Sequence, residues 1–185
     1  MIAVEVMYAR GSCRWNMMQQ RVRARQCCRR VAKRCGTVIN CTSREYRCGN
    51  LWWSTSHVCR KTDAAVAAAI SSLAPVGVDV EVITPRDPSL QLLFSLEEYN
   101  RVGGRSWEAF FRLWCAREAV IKARSLTLSA LTTLCCTDYR HNTLWISGMG
   151  VSMKVFMDVR EGVCMAVTVP PSCQNVQVWY TCDCT

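Results

Sequence analysis

The sequence lacks the features that mark several large classes of protein. Its apolar runs are short and interrupted, far below the roughly 20 residues that a membrane-spanning helix needs. Its 14 cysteines include no Cys-x-x-Cys pair, and its two histidines, His57 and His141, complete no zinc pattern. No secretory signal peptide opens the chain. These absences disfavour a membrane-spanning protein, a zinc domain and a disulfide framework, and they predict reduced cysteines that pack as small apolar side chains.

Acidic residues are scarce in the first third of the chain. Residues 1–62 carry thirteen Lys and Arg against Glu5 and Glu45, a net charge of +11, whereas residues 63–185 have a net charge of −2. A basic segment of this kind favours an anionic ligand, and nucleic acid, a membrane surface and a phosphorylated small molecule all qualify. The Arg-rich, acid-poor stretch 10–44 is also typical of mitochondrial transit peptides, so mitochondrial import is the alternative to a cytoplasmic location.

Length and hydrophobic content favour a folded domain. The chain has 185 residues, half of them hydrophobic, which suits one domain or two packed halves and excludes disordered and collagen-like sequences. Alternating apolar residues predict strands at 2–8, 76–83, 143–147, 151–157, 163–169 and 176–180. Longer stretches predict helices over 15–35, which Gly36 terminates, and over 106–124.

A break between two halves is predicted near residue 85. Two prolines interrupt the pattern there, and Ser95 and Glu98 then form a capping box at the start of the next helix. We therefore divide the chain into a basic N-terminal half, 1–84, and a C-terminal half, 85–185. Each half combines a helix with short strands, which is an α+β arrangement.

Two carboxylates project from one face of the predicted strand 76–83. Asp79 and Glu81 are two residues apart, and side chains at that spacing point to the same side of a sheet. Two oxygen ligands on a rigid element suit a hard divalent cation such as Mg²⁺, which takes its other ligands from water and substrate phosphates. The same alternation is also typical of a half-solvated strand with no metal, so the spacing alone leaves both interpretations open.

A third carboxylate lies on the predicted helix 106–124. Glu118 and Lys122 are four residues apart and share a helix face. Such a pair is often an ordinary surface ion pair. It also offers a carboxylate that can hold metal or accept a proton, next to an ammonium that can meet a phosphate.

Together, the two elements resemble the two-part signature of the 4′-phosphopantetheinyl transferase superfamily. The matching segments are Gly77-Val78-Asp79-Val80-Glu81 and Trp114-Cys115-Ala116-Arg117-Glu118-Ala119-Val120-Ile121-Lys122. Further similar segments are Ser56-His57, Phe94-Ser95-Leu96-Glu97-Glu98, and Lys122-Ala123 with Leu128-Ser129. The similarity covers residues 40–170, and the basic helix before it resembles the larger, surfactin-synthetase-type branch.

The resemblance implies a fold and a reaction. The expected fold is a pseudodimer of two similar α+β halves, each a small, mostly antiparallel sheet packed with a long helix. The expected enzyme is a transferase of the holo-[carrier-protein] synthase type. It moves the phosphopantetheine arm of coenzyme A onto a serine of an apo acyl or peptidyl carrier protein and releases adenosine 3′,5′-bisphosphate. Its cofactor is Mg²⁺, coenzyme A is its substrate, and a monomer with no nucleic-acid or membrane partner is expected.

The same resemblance assigns roles to seven residues. Asp79, Glu81 and Glu118 are expected to hold Mg²⁺ against the pyrophosphate of coenzyme A. Glu118 is also the expected general base for the carrier serine, directly or through a water. Lys122 is expected to stabilise or protonate the leaving phosphate. The expected contacts to coenzyme A phosphates are Ser56, His57, Arg47 and Lys122.

At three positions the sequence departs from the family's usual pattern. Arg117 stands where a lysine is usual, which keeps the charge but changes the geometry. Ser125 and Thr127 stand where glycines are usual, so the helix exit cannot use the left-handed conformation freely.

Two other functions stay open at this point. One is a basic nucleic-acid-binding module, which the Arg-rich segment 21–34 and the nearby tryptophans favour. The other is a catalytically inactive relative that still binds coenzyme A. The first leaves Asp79, Glu81 and Glu118 without a role.

Overall fold

The structure, a computed structural model, describes residues 1–10, 15–39, 47–60, 63–173 and 175–183. The described strands are β1 (Ile2–Ala9), β2 (Arg47–Cys48), β3 (Leu51–Cys59), β4 (Ala64–Ser71), β5 (Val78–Val82), β6 (Cys135–Arg140), β7 (Thr143–Gly148), β8 (Val151–Arg160), β9 (Val163–Val169) and β10 (Val176–Cys182). The described α-helices are α1 (Met17–Arg34), α2 (Leu96–Arg101) and α3 (Trp107–Ala123). Short 3-10 helices occupy Pro88–Leu93 and Leu128–Thr132.

The strands form two five-stranded sheets. The first has the order β10-β1-β4-β3-β2 and the second has the order β5-β9-β8-β7-β6. Neighbouring strands are antiparallel, except that β1 and β10 run parallel. Strand β5 lies before residue 84 but belongs to the second sheet, and β10 lies after it but joins the first. Each sheet therefore contains one strand from the other side of the predicted boundary between residues 84 and 85. The division into two halves at that boundary stays a prediction.

The two sheets pack face to face, and a long helix covers the outer side of each. Along β1, Ile2, Val4 and Val6 pack towards the second sheet, whereas Ala3 and Met7 pack with α1. Helix α3 packs on the far side of the second sheet. Because both faces of the central strands are buried, these strands are rich in Val and Ala. The predicted α+β class is confirmed.

Most predicted elements are present at the predicted places. The prediction for 15–35 corresponds to α1, and Gly36 follows its end with φ of +68°. The capping box of Ser95 and Glu98 is also present at the start of α2. Hydrophobic patterning missed β3, because its polar residues Ser54 and Ser56 are buried against the second sheet rather than exposed.

The described cysteines match the prediction in part, since most are buried or partly buried, whereas Cys135 is exposed. Nine described cysteines are thiols. Cys182 is disulfide-bonded, so the prediction that the cysteines are reduced is wrong at this position. None of the described helices is both long enough and apolar enough to cross a membrane.

Candidate active site

Gly77 allows β5 and α3 to approach each other closely. A Cβ atom at this position would lie 1.9 Å from the carbonyl oxygen of Ala119 and 2.7 Å from the backbone nitrogen of Ala123. The Gly77 N–H donates to the side-chain oxygen of Thr168 at 2.8 Å, which fixes the start of β5 beside β9. Because only glycine fits here, the side chains that follow on β5 lie directly beside α3.

Asp79 binds two side chains from other elements. Its Oδ1 accepts a hydrogen bond from the Ser56 hydroxyl of β3 at 2.7 Å and pairs with the Lys122 ammonium of α3 at 2.7 Å. The Lys122 Nζ also lies 3.0 Å from the Ser56 Oγ and 3.1 Å from the Val78 carbonyl oxygen. The other carboxylate oxygen, Asp79 Oδ2, is buried and has no hydrogen-bond partner among the described residues. Its hydrogen-bonding capacity is therefore unused there.

Lys122 carries its positive charge into this site. Burial by itself lowers the pKa of Lys122, but the charge and hydrogen bond of Asp79, together with the charge of Glu118, outweigh burial and raise the pKa above its usual value. Lys122 is therefore an ammonium at neutral pH and can meet an anion, but it cannot act as a base.

Glu81 lies on the same strand face and is held by two arginines. Its Oε2 accepts from Arg60 at 3.1 Å and from Arg86 at 2.8 Å. Burial and the charge of Asp79 raise the pKa of Glu81 to about 7, although Arg60 opposes this rise. Neither arginine was predicted from the sequence as part of the site. The available signal was the position of Arg86, five residues after Glu81 in the chain.

Glu118 is the least constrained of the three carboxylates. It is half-buried and makes no hydrogen bond or ion pair among the described residues. Burial and the charge of Asp79 raise its pKa, and Lys122 partly offsets the rise. The sequence placed Lys122 beside Glu118 on one helix face, but the close partner of Lys122 is Asp79 on the neighbouring strand.

The donor set fits a hard divalent cation. Asp79, Glu81 and Glu118 supply only carboxylate oxygens, which Mg²⁺ prefers, and Asp79 Oδ2 is unpartnered. The described part of the chain contains no group of three or more His, Cys, Asp or Glu side chains arranged to hold a metal ion. A cation bound by all three carboxylates would therefore require some of these side chains to move from their present positions.

Two cavities meet beside Lys122. One has a volume of about 590 Å³ and is lined by Arg47 and Trp52 as well as Lys122 and Ser125. The other, of about 270 Å³, shares Lys122 and Ser125 and includes Ser54. The Arg47 guanidinium lies over the Trp52 ring, 5.2 Å from its centroid. The structure thus brings Arg47 and Lys122, two residues predicted from the sequence, to one cavity.

Ser56 and His57 point in different directions. Ser56 is buried and binds Asp79 and Lys122, whereas His57 is exposed and has no hydrogen-bond partner among the described residues. Partial burial and the charges of Lys122 and Arg21 lower the pKa of His57. His57 is therefore a neutral imidazole near pH 7.

Although Arg117 directly precedes Glu118 in the chain, its side chain makes no hydrogen bond or ion pair, within the described residues, with the candidate cation ligands Asp79, Glu81 and Glu118. It is 1% exposed, forms a buried ion pair with Glu98, and donates to the Leu134 carbonyl at 2.7 Å. Its guanidinium also lies 4.2 Å from the centroid of the Phe94 ring. Glu98 accepts in turn from the Cys136 N–H at 2.7 Å. Arg117 therefore joins α3 to α2 and β6 and fixes the helix that carries Glu118 and Lys122.

The chain is similar to known proteins over its central part. Residues 75–144 match the model of the family described as 4′-phosphopantetheinyl transferase superfamily. A segment of 81 residues is 36% identical to the 4′-phosphopantetheinyl transferase AcpT of Salmonella typhi and to that of Salmonella typhimurium (strain LT2). The segment covers 40% of this chain and 40% of each relative, so the chain spans about two fifths of the length of these curated relatives.

Proposed function

We propose that this protein is a phosphopantetheinyl transferase of the holo-[carrier-protein] synthase type, because residues 75–144 match the 4′-phosphopantetheinyl transferase superfamily and an 81-residue segment is 36% identical to a member named for that activity. It moves the phosphopantetheine arm of coenzyme A onto a serine of an apo acyl or peptidyl carrier protein and releases adenosine 3′,5′-bisphosphate. The supporting observation is the pairing of Lys122 on α3 with Asp79 on β5, which leaves Asp79 Oδ2 buried and without a partner among the residues that the structure describes.

The cavities beside Lys122 are the proposed binding place for coenzyme A. A volume of about 590 Å³ lies within the range of small-molecule sites. Arg47 and Lys122 line it and supply positive charge for cofactor phosphates, and Trp52 supplies an aromatic surface. In this proposal Ser56 acts by holding Asp79 and Lys122, and exposed His57 meets a phosphate at the rim of the site.

Glu118 is the proposed general base. It is half-buried and free of hydrogen bonds among the described residues, so its carboxylate can accept the proton of the carrier serine, directly or through a water. The serine oxygen then bonds to the phosphorus that carries pantetheine, and the bond from that phosphorus to the leaving phosphate breaks. The Lys122 ammonium stabilises the charge on the leaving oxygen or protonates it.

Asp79, Glu81 and Glu118 would hold Mg²⁺. When bound, the ion would neutralise charge on the diphosphate and so favour its displacement. Asp79 Oδ2 is a candidate ligand atom that gives up no hydrogen bond within the described residues when it binds the ion.

The two sheets support a pseudodimer. In each, a first strand precedes a long helix, which in the second sheet comes after the short helix α2, and a meander follows whose last strand pairs antiparallel with the first: β1 with β4, and β5 with β9. Helix α1 covers one sheet and α3 the other. We infer from this shared order that the halves are related, as in the larger, surfactin-synthetase-type branch. We also propose a cytoplasmic monomer.

Release of adenosine 3′,5′-bisphosphate tests the proposed function. The protein is incubated with coenzyme A, Mg²⁺ and an apo carrier protein, and the nucleotide is quantified by chromatography. We expect one equivalent per carrier, and none when the carrier serine is replaced by alanine. Filter binding of single-stranded RNA across a salt series tests the nucleic-acid alternative. Tight, steeply salt-dependent binding without nucleotide release would favour that alternative.

A further inference from the structure

Arg60 and Arg86 converge on one oxygen atom from different parts of the chain. Arg60 follows the end of β3, and Arg86 lies in the connection after β5. Their Nη2 atoms lie 3.1 Å and 2.8 Å from Oε2 of Glu81. A guanidinium group can donate two parallel hydrogen bonds to two oxygens of one carboxylate or phosphate. Two guanidiniums that share a single oxygen therefore do not use all their hydrogen-bond donors.

Each of the two arginines has a hydrogen-bond donor, its Nε–H, that is not used by Glu81. The Nε atoms of Arg60 and Arg86 are buried and have no hydrogen-bond partner within the part of the chain that the structure describes, although buried donors are normally paired. The side chains are 36% and 20% exposed, so a ligand can reach the pair from solvent. The Arg86 guanidinium lies 4.6 Å from the centroid of the Phe111 ring, a contact that holds it near the N-terminal end of α3.

We propose that Arg60 and Arg86 form a binding site for a diphosphate group, and that the Glu81 carboxylate occupies this site as an internal substitute while no phosphate is bound. A diphosphate offers more oxygens and more negative charge than one carboxylate, and it satisfies the two spare Nε donors. Its arrival displaces Glu81, which is then free to join Asp79 and Glu118 in the candidate cation site. The identification of this diphosphate as that of coenzyme A rests on the proposed function.

Isothermal titration of the full chain with inorganic pyrophosphate, without divalent cation, tests the site. We expect Arg60→Gln and Arg86→Gln each to weaken binding by about tenfold, the effect of losing one charge-assisted contact. Glu81→Gln removes the internal competitor and is expected to tighten binding by about tenfold. Arg140→Gln is the matched control, because Arg140 forms an exposed ion pair with Asp138 and is expected to leave binding unchanged.

Two further measurements keep the result interpretable. Thermal unfolding of each variant shows whether it is folded, and Arg86→Lys, which keeps the charge but loses the fork, is expected to bind with intermediate affinity. Coenzyme A is expected to depend on the two arginines in the same way as pyrophosphate, whereas pantetheine, which has no phosphate, is not.

Pyrophosphate affinities of Arg60→Gln and Arg86→Gln equal to the wild type, or weaker binding by Glu81→Gln, would overturn the inference. Failure of the proposed function has a different signature. Arginine-dependent pyrophosphate binding without modification of any carrier protein would leave this site standing and remove the transferase. Modification of the carrier protein, together with pyrophosphate binding that does not depend on the two arginines, would support the transferase and remove this site.

Discussion

The ammonium of Lys122 lies 2.7 Å from Oδ1 of Asp79, and this contact joins helix α3 to strand β5. The contact uses only one oxygen of the carboxylate, because Oδ2 is buried and has no partner in the described ranges of the chain. A positive charge that lines two cavities is therefore held beside a carboxylate with one unused oxygen. That juxtaposition suits a ligand that carries phosphate together with a divalent cation.

Replacement of Glu118 by glutamine is expected to abolish transfer and to leave the fold intact. The variant loses the proposed base and a proposed cation ligand, so kcat is expected to fall at least about 100-fold. Stability is expected to stay close to the wild type, because Glu118 makes no hydrogen bond among the described residues. Glu108→Gln on the same helix is the control, since Glu108 pairs only with its helix neighbour Arg112 in the described structure. Steady-state kinetics that show near-native turnover in Glu118→Gln would refute the role.

Replacement of Gly77 by alanine is expected to force β5 and α3 apart. The new Cβ would lie 1.9 Å from a backbone oxygen, which cannot move aside as a flexible side chain can. Overpacking of this kind costs about 2 kcal/mol of unfolding free energy or more. Urea denaturation measures the loss, and an unchanged midpoint would contradict the close approach of the two elements.

Replacement of Ser125 by glycine is expected to stabilise the protein. Ser125 follows the C-cap of α3 with φ of +52°, a left-handed conformation that costs a non-glycine residue about 1 kcal/mol. Glycine adopts this conformation without that cost. Ser129→Gly, in the following 3-10 helix, is the control and is expected to be neutral or destabilising. Chemical denaturation of both variants checks the sign, and a loss of stability in Ser125→Gly would contradict this explanation.

The buried pair of Glu98 and Arg117 is expected to make stability depend on pH. Burial raises the pKa of Glu98, but the Arg117 charge and the backbone N–H groups of Cys136 and Ser95 outweigh it, so the pKa lies below its ordinary value of 4.5. The stabilisation is therefore present above that value and is lost as pH falls through the lowered pKa. Glu98→Gln is expected to cost about 3 kcal/mol at pH 7, and this deficit is expected to shrink in acid.

Urea titrations between pH 7 and pH 3 compare the wild type with Glu98→Gln. Glu97→Gln is the control, because the neighbouring Glu97 side chain is 76% exposed. A deficit for Glu98→Gln that stays constant across this pH range would mean that the ion pair is not the source of the pH dependence.

Local patterns in the sequence predicted those parts of the site that depend on one element. Alternation along the chain placed Asp79 and Glu81 on one face of a strand, and that arrangement needs no knowledge of the rest of the fold. The four-residue spacing likewise placed Glu118 and Lys122 on one face of a helix.

Contacts between different helices and strands could not be predicted from those local patterns. Lys122 pairs with Asp79, and Arg60 and Arg86 reach Glu81 from separate segments. Their distances along the chain carry no periodic signal, because they depend on how the sheets and α3 pack. Arg117 is a similar case, since its charge was evident but its burial against Glu98 and Phe94 was not.

The most direct test of the central claim is the intact mass of an apo carrier protein after incubation with this protein, coenzyme A and Mg²⁺. The account predicts that the carrier gains the mass of one phosphopantetheine with the wild-type protein and gains nothing with Asp79→Asn. An unmodified carrier with folded wild-type protein, or full modification by folded Asp79→Asn, would contradict it.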